Sequence, residues 1–316
     1  MFYLGIDLGG TNISAGIVDE NNRIAAKTNR KTHVPCSPEE ICEQLAAAAF
    51  DTLENAKLTL DDVPWVGVGS PGTVNRATGV IEYANNLQFR KLPLKDLLET
   101  RIHKKVILEN DANAAAYGEY KAGALKGANN AVAITLGTGV GSGIIIDGKI
   151  YAGSNFAGGE FGHTVIVFNG RPCTCGRKGC WEAYSSATGL INSTKEAMRK
   201  IGRDTQIWKI AGGNLDNVDG RTAFEAMRRG DPTGKSVVDS YIAYLGCGLT
   251  NCVNIFQPDI LCIGGGISNE GEPLLKPLRE YVERESYAMN TDKKTILCKA
   301  ALGNDAGIIG AALLGK

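Results

Sequence analysis

Long apolar runs are missing from this sequence. No stretch approaches the ~18 consecutive apolar residues that cross a bilayer, and Met1-Phe2-Tyr3-Leu4-Gly5 has neither the basic start nor the continuous apolar core of a signal peptide. An excess of charge is missing too. The 34 basic residues balance 34 acidic ones, which leaves no electrostatic footprint for nucleic acid or an anionic membrane surface. Nor is there an even set of cysteines. Of nine, most stand scattered at apolar positions such as Cys247, Cys252 and Cys262. That usage suits reduced thiols in cytoplasm and not a disulfide framework. Low-complexity tracts and long linkers are absent, so any two halves should be tightly joined.

The composition that remains is globular, with 43% apolar and 22% charged residues. At 316 residues the chain has room for two domains, each with its own core. Forty glycines exceed the usual ~7% share. They fall in short clusters at turns, which points to sites lined by backbone.

Strand patterns open the chain at Phe2–Leu8, Ile13–Val18 and Arg23–Thr28. A helix follows from the cap Ser37, with Pro38 at its first position, to about Asn55. Val66–Gly69 and Val106–Leu108 read as buried strands, and Ala112–Ala122 as a helix. The opening pattern then recurs: strand Ala131–Leu136, a glycine turn Gly137–Gly143, strand Ile144–Ile146, the turn Asp147-Gly148, and Lys149–Tyr151. This suggests a duplicated unit. Later come a long helix capped by Asp231-Pro232, a strand Ile260–Ile263 entering three glycines, and a small-residue helix Ala306–Leu314.

Four ligand-type residues crowd into eighteen positions: His163, Cys173, Cys175 and Cys180. Three thiols and an imidazole complete a tetrahedral zinc site and leave no open position, so the metal should be structural. The cluster also places Glu160 and Glu182 at its two ends.

Asp7-Leu8-Gly9-Gly10-Thr11-Asn12 lies between two strands. Backbone N–H groups of Gly9 and Gly10, with donors from Thr11 and Asn12, can face phosphate, and Asp7 can hold hydrated Mg2+. The turn containing Gly137, Thr138, Gly139 and Gly141 offers a second cradle. Two related turns in matching places point to a bound nucleotide, clamped between domains. Gly67-Val68-Gly69-Ser70-Pro71-Gly72 matches a dinucleotide pattern, but Pro71 and the turn-rich Thr73–Gly79 that follow open no helix, and no acidic residue lies ~20 positions on. Gly310–Lys316 resembles the start of a P-loop by accident.

Glu109-Asn110-Asp111 ends a strand and starts a helix, where open α/β sheets bind ligands. Asp111 can take a proton from an alcohol, with Asn110 gripping a neighbouring hydroxyl. As a helix cap Asp111 would serve equally well.

These motifs, with Gly158-Gly159-Glu160-Phe161-Gly162-His163 and the run Cys173 to Glu182, resemble the ROK family of bacterial sugar kinases along the whole chain. The resemblance implies an α/β, two-domain actin-like/hexokinase-like ATPase (ribonuclease H-like) fold with an interdomain cleft. Residues 1–115 and a C-terminal helix over 304–316 would form the smaller domain, and 116–303 a larger one with the zinc loop. It implies transfer of the ATP γ-phosphoryl group to the 6-hydroxyl of a hexose, glucose foremost, with N-acetylmannosamine, N-acetylglucosamine and fructose as alternatives. Asp111 becomes the catalytic base, and Gly72, Asn86, Asn110, Glu160, His163 and Glu182 become sugar contacts, with Asn85 an alternative to Asn86. ATP and Mg2+ would use Asp7, the two glycine turns and Gly265, beside structural Zn2+. A cytoplasmic homodimer or homotetramer is implied. DNA-binding repressors of the family carry an N-terminal helix-turn-helix before this fold, whereas the first strand opens this chain, so a kinase is expected over a sugar-sensing regulator. Asn12 stands where many members carry Lys, which removes one charge near the phosphates.

Overall fold

The computed structural model of the chain describes residues 1–84 and 87–316. In chain order the strands are β1 (Tyr3–Leu8), β2 (Asn12–Val18), β3 (Ile24–Lys31), β4 (Val66–Ser70), β5 (Thr73–Asn75), β6 (Val80–Ala84), β7 (Phe89–Leu92), β8 (Val106–Asn110), β9 (Ala131–Leu136), β10 (Val140–Ile146), β11 (Lys149–Ile150), β12 (Ile260–Gly264) and β13 (Ile296–Lys299). The helices are α1 (Pro38–Ala56), α2 (Leu94–Ile102), α3 (Asp111–Ala122), α4 (Glu182–Ser185), α5 (Ala187–Met198), α6 (Gln206–Ile210), α7 (Thr222–Arg228), α8 (Pro232–Phe256), α9 (Glu272–Glu285) and α10 (Ala306–Leu313). None of them is long and apolar enough to cross a membrane among the described residues.

Two units divide the chain. Met1–Ala133, Gly143–Gly159 and Ala300–Lys316 make the first, and Ile134–Ser142 with Glu160–Lys299 the second. The first sheet runs β3-β2-β1-β4-β8. Its β1 is antiparallel to β2 and parallel to β4, which is parallel to β8. Register sets Asp7 beside Gly69, Gly69 beside Glu109, and Ser70 beside Asn110. The carboxyl ends of three parallel strands therefore level off together, the position where such sheets bind ligands. Leu4, Ile6, Leu8, Ile13 and Ile17 are fully buried against Ile41 and Leu45 of α1. A second sheet has the order β11-β10-β9-β12-β13, with β10 and β11 antiparallel and β12 and β13 parallel. Its order matches the first, as a duplicated unit requires.

Helix ends follow the sequence closely. Ser37 and Glu40 form a capping box, with Ser37 Oγ accepting from the Glu40 N–H at 3.1 Å and Glu40 Oε2 from the Ser37 N–H at 2.7 Å. Asp231 caps α8 by accepting from the Thr233 and Gly234 N–H groups at 2.8 and 3.0 Å. Two expectations need correction. Gly137–Gly143 is not one turn, because β10 already begins at Val140, and alternate glycines in a strand mark close neighbours. Gly143 packs on α3, where an added Cβ would lie 2.4 Å from Ala116 Cβ. The stretch from Thr73 is likewise not all turn, since Thr73–Asn75 is the first strand of a small sheet β5-β6-β7.

The last helix is buried on every side, as its Ala, Gly and Ile composition demands. Its backbone lies directly on that of its neighbours. A Cβ on Gly67 of β4 would meet Ala311 O at 1.8 Å, and one on Gly310 would meet Ala114 O of α3 at 1.7 Å. Gly to Ala inside a helix ordinarily stabilises by about 1 kcal/mol. Here backbone stands in the way, so Gly310→Ala should destabilise by about 1–3 kcal/mol, read as a lower denaturant midpoint. An unchanged or raised midpoint would show that α10 and α3 do not touch so closely.

Candidate active site

In the first unit the site is built on the start of α3. Asn110 is the cap: its Oδ1 accepts from the Asn113 N–H at 3.1 Å, while its Nδ2 donates to the Gly72 carbonyl at 3.0 Å. Capping therefore falls to Asn110 and not to Asp111, which sits at the first helical position. Of the Asp111 oxygens, Oδ1 accepts from the Ala112 N–H at 2.9 Å. Burial pushes the Asp111 carboxyl above its usual range. Gly72, Asn110 and Asp111 are thus brought together. Asn86 and its alternative Asn85 lie outside the described residues.

Asp7, the penultimate residue of β1, lies beside this group. Burial first, and then the charge of Asp111, push its carboxyl up to about 6 from 3.8, with Lys27 pulling the other way. The turn after it is closed by the Gly9 N–H donating to Asn12 O at 2.9 Å and by Thr32 Oγ1 donating to Gly9 O at 2.7 Å. Gly10, Thr11 and Asn12 stay exposed, open to a ligand.

The second unit holds the other residues. A small hairpin carries the cysteines, with the Cys173 N–H on Arg177 O at 2.9 Å, the Gly176 N–H on Cys173 O at 3.0 Å and the Gly179 N–H on Arg171 O at 2.7 Å. Ligand atoms of His163, Cys173, Cys175 and Cys180 all lie within 4.8 Å of one another. Cys175 Sγ and Cys180 Sγ are 3.7 Å apart, as are Cys173 Sγ and His163 Nδ1. A disulfide would need about 2.05 Å. A tetrahedron with bonds of about 2.3 Å has edges of about 3.7 Å, so the donor set fits zinc. Nδ1 is the nitrogen turned to the thiols, which leaves Nε2 for another partner. Glu160, just before the turn Phe161–His163, is exposed.

Trp181 is a buried supporting residue of this loop that sequence reasoning missed. Fully buried, it donates from Nε1 to Tyr244 O at 3.0 Å and from its N–H to Thr164 O at 2.8 Å. It fills the space left by Gly248 of α8. Standing between Cys180 and Glu182, this large aromatic was the available signal. It fixes Glu182, whose Oε2 accepts from the Val140 N–H at 3.0 Å. Glycine at 139 leaves room for that carboxylate, since a Cβ there would come within 2.2 Å of Oε2 and push it aside. Glu182 is thus pinned to the second glycine turn. The far side of that turn is tied to α5, with Thr188 Oγ1 on Thr138 O at 2.8 Å and the Ala187 N–H on Gly137 O at 2.9 Å. Gly265, at φ +83°, lies against Leu136 just before the turn, and Gly141 is inside β10.

Two sheets of matching order, with acidic groups at the strand ends and glycine turns after their first strands, define the actin-like, hexokinase-like (ribonuclease H-like) fold. A ROK family profile matches residues 3–316. The chain is 38% identical over 317 residues to a glucokinase of Streptomyces coelicolor, covering 99% of this chain and 97% of that one. It is 38% identical over 315 residues to a glucokinase of Thermotoga maritima, covering 99% and 96%. A crystal structure of a ROK family glucokinase from Streptomyces griseus, in complex with glucose and AMPPNP, matches with a TM-score of 0.83 at 36% identity, covering 99% and 98%. The chain belongs to the ROK family.

Two predictions follow from the geometry. Protein purified without added metal should hold one zinc per chain; less than about half an equivalent with activity intact would argue against a site of structural affinity. The second concerns Asp7. A folded-state carboxyl at about 6 against 3.8 means that stability is lost as pH rises through that window, by about 3 kcal/mol. Asp7→Asn, neutral throughout, should unfold later than wild type above pH 6 and no later near pH 4, without nucleotide or magnesium. Parallel pH curves would remove the burial cost assigned to Asp7.

Proposed function

We propose that this protein is an ATP-dependent hexose kinase that converts glucose to glucose 6-phosphate. The observation that carries the reading is the division of labour at the start of α3: Asn110 caps the helix, and Asp111 is left to do chemistry. Full-length identity to enzymes named glucokinase supports the choice of sugar.

Asp111 accepts the proton of the 6-hydroxyl as the O6–phosphorus bond forms and the bond to departing ADP breaks. Raised by burial, it is a stronger base than a solvated aspartate. Asn110, the Gly72 backbone and Asn86 hold ring hydroxyls, as do Glu160, His163 through Nε2, and Glu182. Phosphoryl transfer depends mainly on such positioning. The glycine turns at Gly9–Asn12 and Gly137–Gly139, with Gly265, meet the phosphates through backbone N–H groups, and Gly141 supports the second turn. Asp7 suits hydrated Mg2+, which supplies charge neutralisation at the phosphates when bound. Zinc on His163, Cys173, Cys175 and Cys180 keeps the sugar loop in shape and takes no part in the chemistry.

The scattered free cysteines suit a cytoplasmic enzyme feeding glycolysis, and we place the chain there as a homodimer or homotetramer. A coupled ADP-release assay over glucose, fructose, mannose, N-acetylglucosamine and N-acetylmannosamine tests the reading. Glucose should give the highest kcat/KM, and a higher value for an N-acetylhexosamine would reassign the substrate. Asp111→Asn should lower kcat by about 10²–10⁴ while sugar binding, followed by tryptophan fluorescence, survives. Near-normal turnover in that variant would take Asp111 out of the mechanism.

A further inference from the structure

We propose that Glu109 and Arg76 are positioning residues that hold Gly72 and Asn110 in register with Asp111; this rests on the hexose kinase reading above. Glu109 is the penultimate residue of β8, with its side chain only 2% exposed. Its Oε1 accepts from the Asn110 N–H at 2.9 Å and from Asn113 Nδ2 at 3.1 Å. Its Oε2 accepts from Arg76 Nη1 at 3.1 Å. One oxygen therefore grips the first turn of α3, and the other grips the turn between β5 and β6.

That second turn is itself stiff. Asn75 Oδ1 accepts from the Ala77 and Thr78 N–H groups at 3.2 Å each. Gly72 lies four residues before Arg76, and its carbonyl takes the Asn110 amide. Two struts, Arg76 to Glu109 and Gly72 to Asn110, thus lock residues 72–76 onto the start of the helix. Asn113 adds a second sign of the same device. Its Oδ1 is buried without a hydrogen-bond partner, so Nδ2 on Glu109 is what orients the amide. A charge so buried is tolerated only where each oxygen is satisfied. The Arg76 side chain is 42% exposed and reaches the buried Glu109 through Nη1, and its contribution is assigned to placement.

The same helix supplies an internal control. Glu119, at the other end of α3, is equally buried at 2%. It accepts from the N–H groups of Ala124, Ala301 and Leu302 at 2.8, 3.0 and 2.7 Å. Its duty is to anchor the returning chain, away from Asp111.

The test uses full-length Arg76→Met, Arg76→Lys, Glu109→Gln, the double variant and Glu119→Gln, each assayed well below its own Tm. Arg76→Met should lower kcat about 10- to 100-fold, as misplacement of reacting groups does. It should also raise the sugar KM and leave the ATP KM within about twofold. Arg76→Lys should recover most of the loss, and the double variant should be no worse than its poorer parent, as in one coupled unit. Glu119→Gln should lower Tm without that kinetic pattern. If Arg76→Met keeps wild-type kcat and sugar KM, or if Glu119→Gln reproduces the same pattern, the proposal is wrong. If Glu109→Gln does not fold, the two Arg76 variants still decide. Wild-type protein that phosphorylates no hexose fails the kinase reading itself, a result distinct from active wild type with indifferent Arg76 variants.

Discussion

Asn110 spends both halves of its amide on the protein, the oxygen on the Asn113 N–H and the nitrogen on the Gly72 carbonyl. Much of the first unit's chemistry depends on that double use. A helix beginning at a strand end leaves N–H groups that need an acceptor. Asn110 meets that need at the Asn113 N–H; Asp111 accepts from the Ala112 N–H, yet burial outweighs its hydrogen bonds and keeps the carboxyl raised. Because the preceding residue caps, the carboxylate enters the site under strain from burial. The strand register then matters, since it levels Asp7, Gly69 and Glu109 in one row at the carboxyl end of the sheet, with Ser70 and Asn110 paired in the next.

Bringing two carboxylates to that edge is costly. Burial and mutual repulsion raise Asp7 to about 6, and the fold offsets this with contacts elsewhere. Gly307 of α10 leaves room behind Asp7, with a built Cβ only 2.6 Å from Oδ2. The rest of α10 lies on β1, β4 and α3 at backbone distance, where dense packing of small residues gives back dispersion energy. One short helix thus stabilises the unit and accommodates the charge that destabilises it, an instance of the trade between stability and activity.

Local signals were legible and distant ones were not. The capping box at Ser37, the bounds of β9 and the Asp231 cap could all be read from neighbouring residues. The sheet β5-β6-β7 could not, because strands of three to five residues rich in Asn, Thr and charge look like turn. Glycine misled in the opposite sense: Gly141 and Gly143 read as loop but lie in a strand, and at Gly143 that strand needs a small residue against α3. At the site, the zinc ligands, Asp111 and Glu182 stood out by type and spacing. Arg76 did not, since its partner is 33 positions away and only the fold brings them together. Asp111 as cap or base was a choice that sequence left open and hydrogen-bond geometry resolved for Asn110 as the cap.

The cysteine loop shows how a zinc centre with no open position would bear on a neighbouring carboxylate. Cys180, Trp181 and Glu182 are consecutive, and each has a different hold: Cys180 would be held by thiolate ligation when zinc is bound, Trp181 is buried under α8, and Glu182 takes a hydrogen bond from the Val140 N–H. A four-residue helix has too few bonds to hold a carboxylate still by itself. Fixing its first residues from three sides removes that freedom without asking the helix to be stable. At the other end, His163 Nδ1 turns to the thiols, so ligation there would set the ring plane and the tautomer that Nε2 presents. Loss of the ion would leave Trp181 buried and Glu182 still bonded to Val140, but it would free His163 and the hairpin from Cys173 to Cys180. The metal's influence should therefore be uneven, stronger on the histidine than on the glutamate, because the glutamate has two other anchors and the histidine side chain has none among the described contacts.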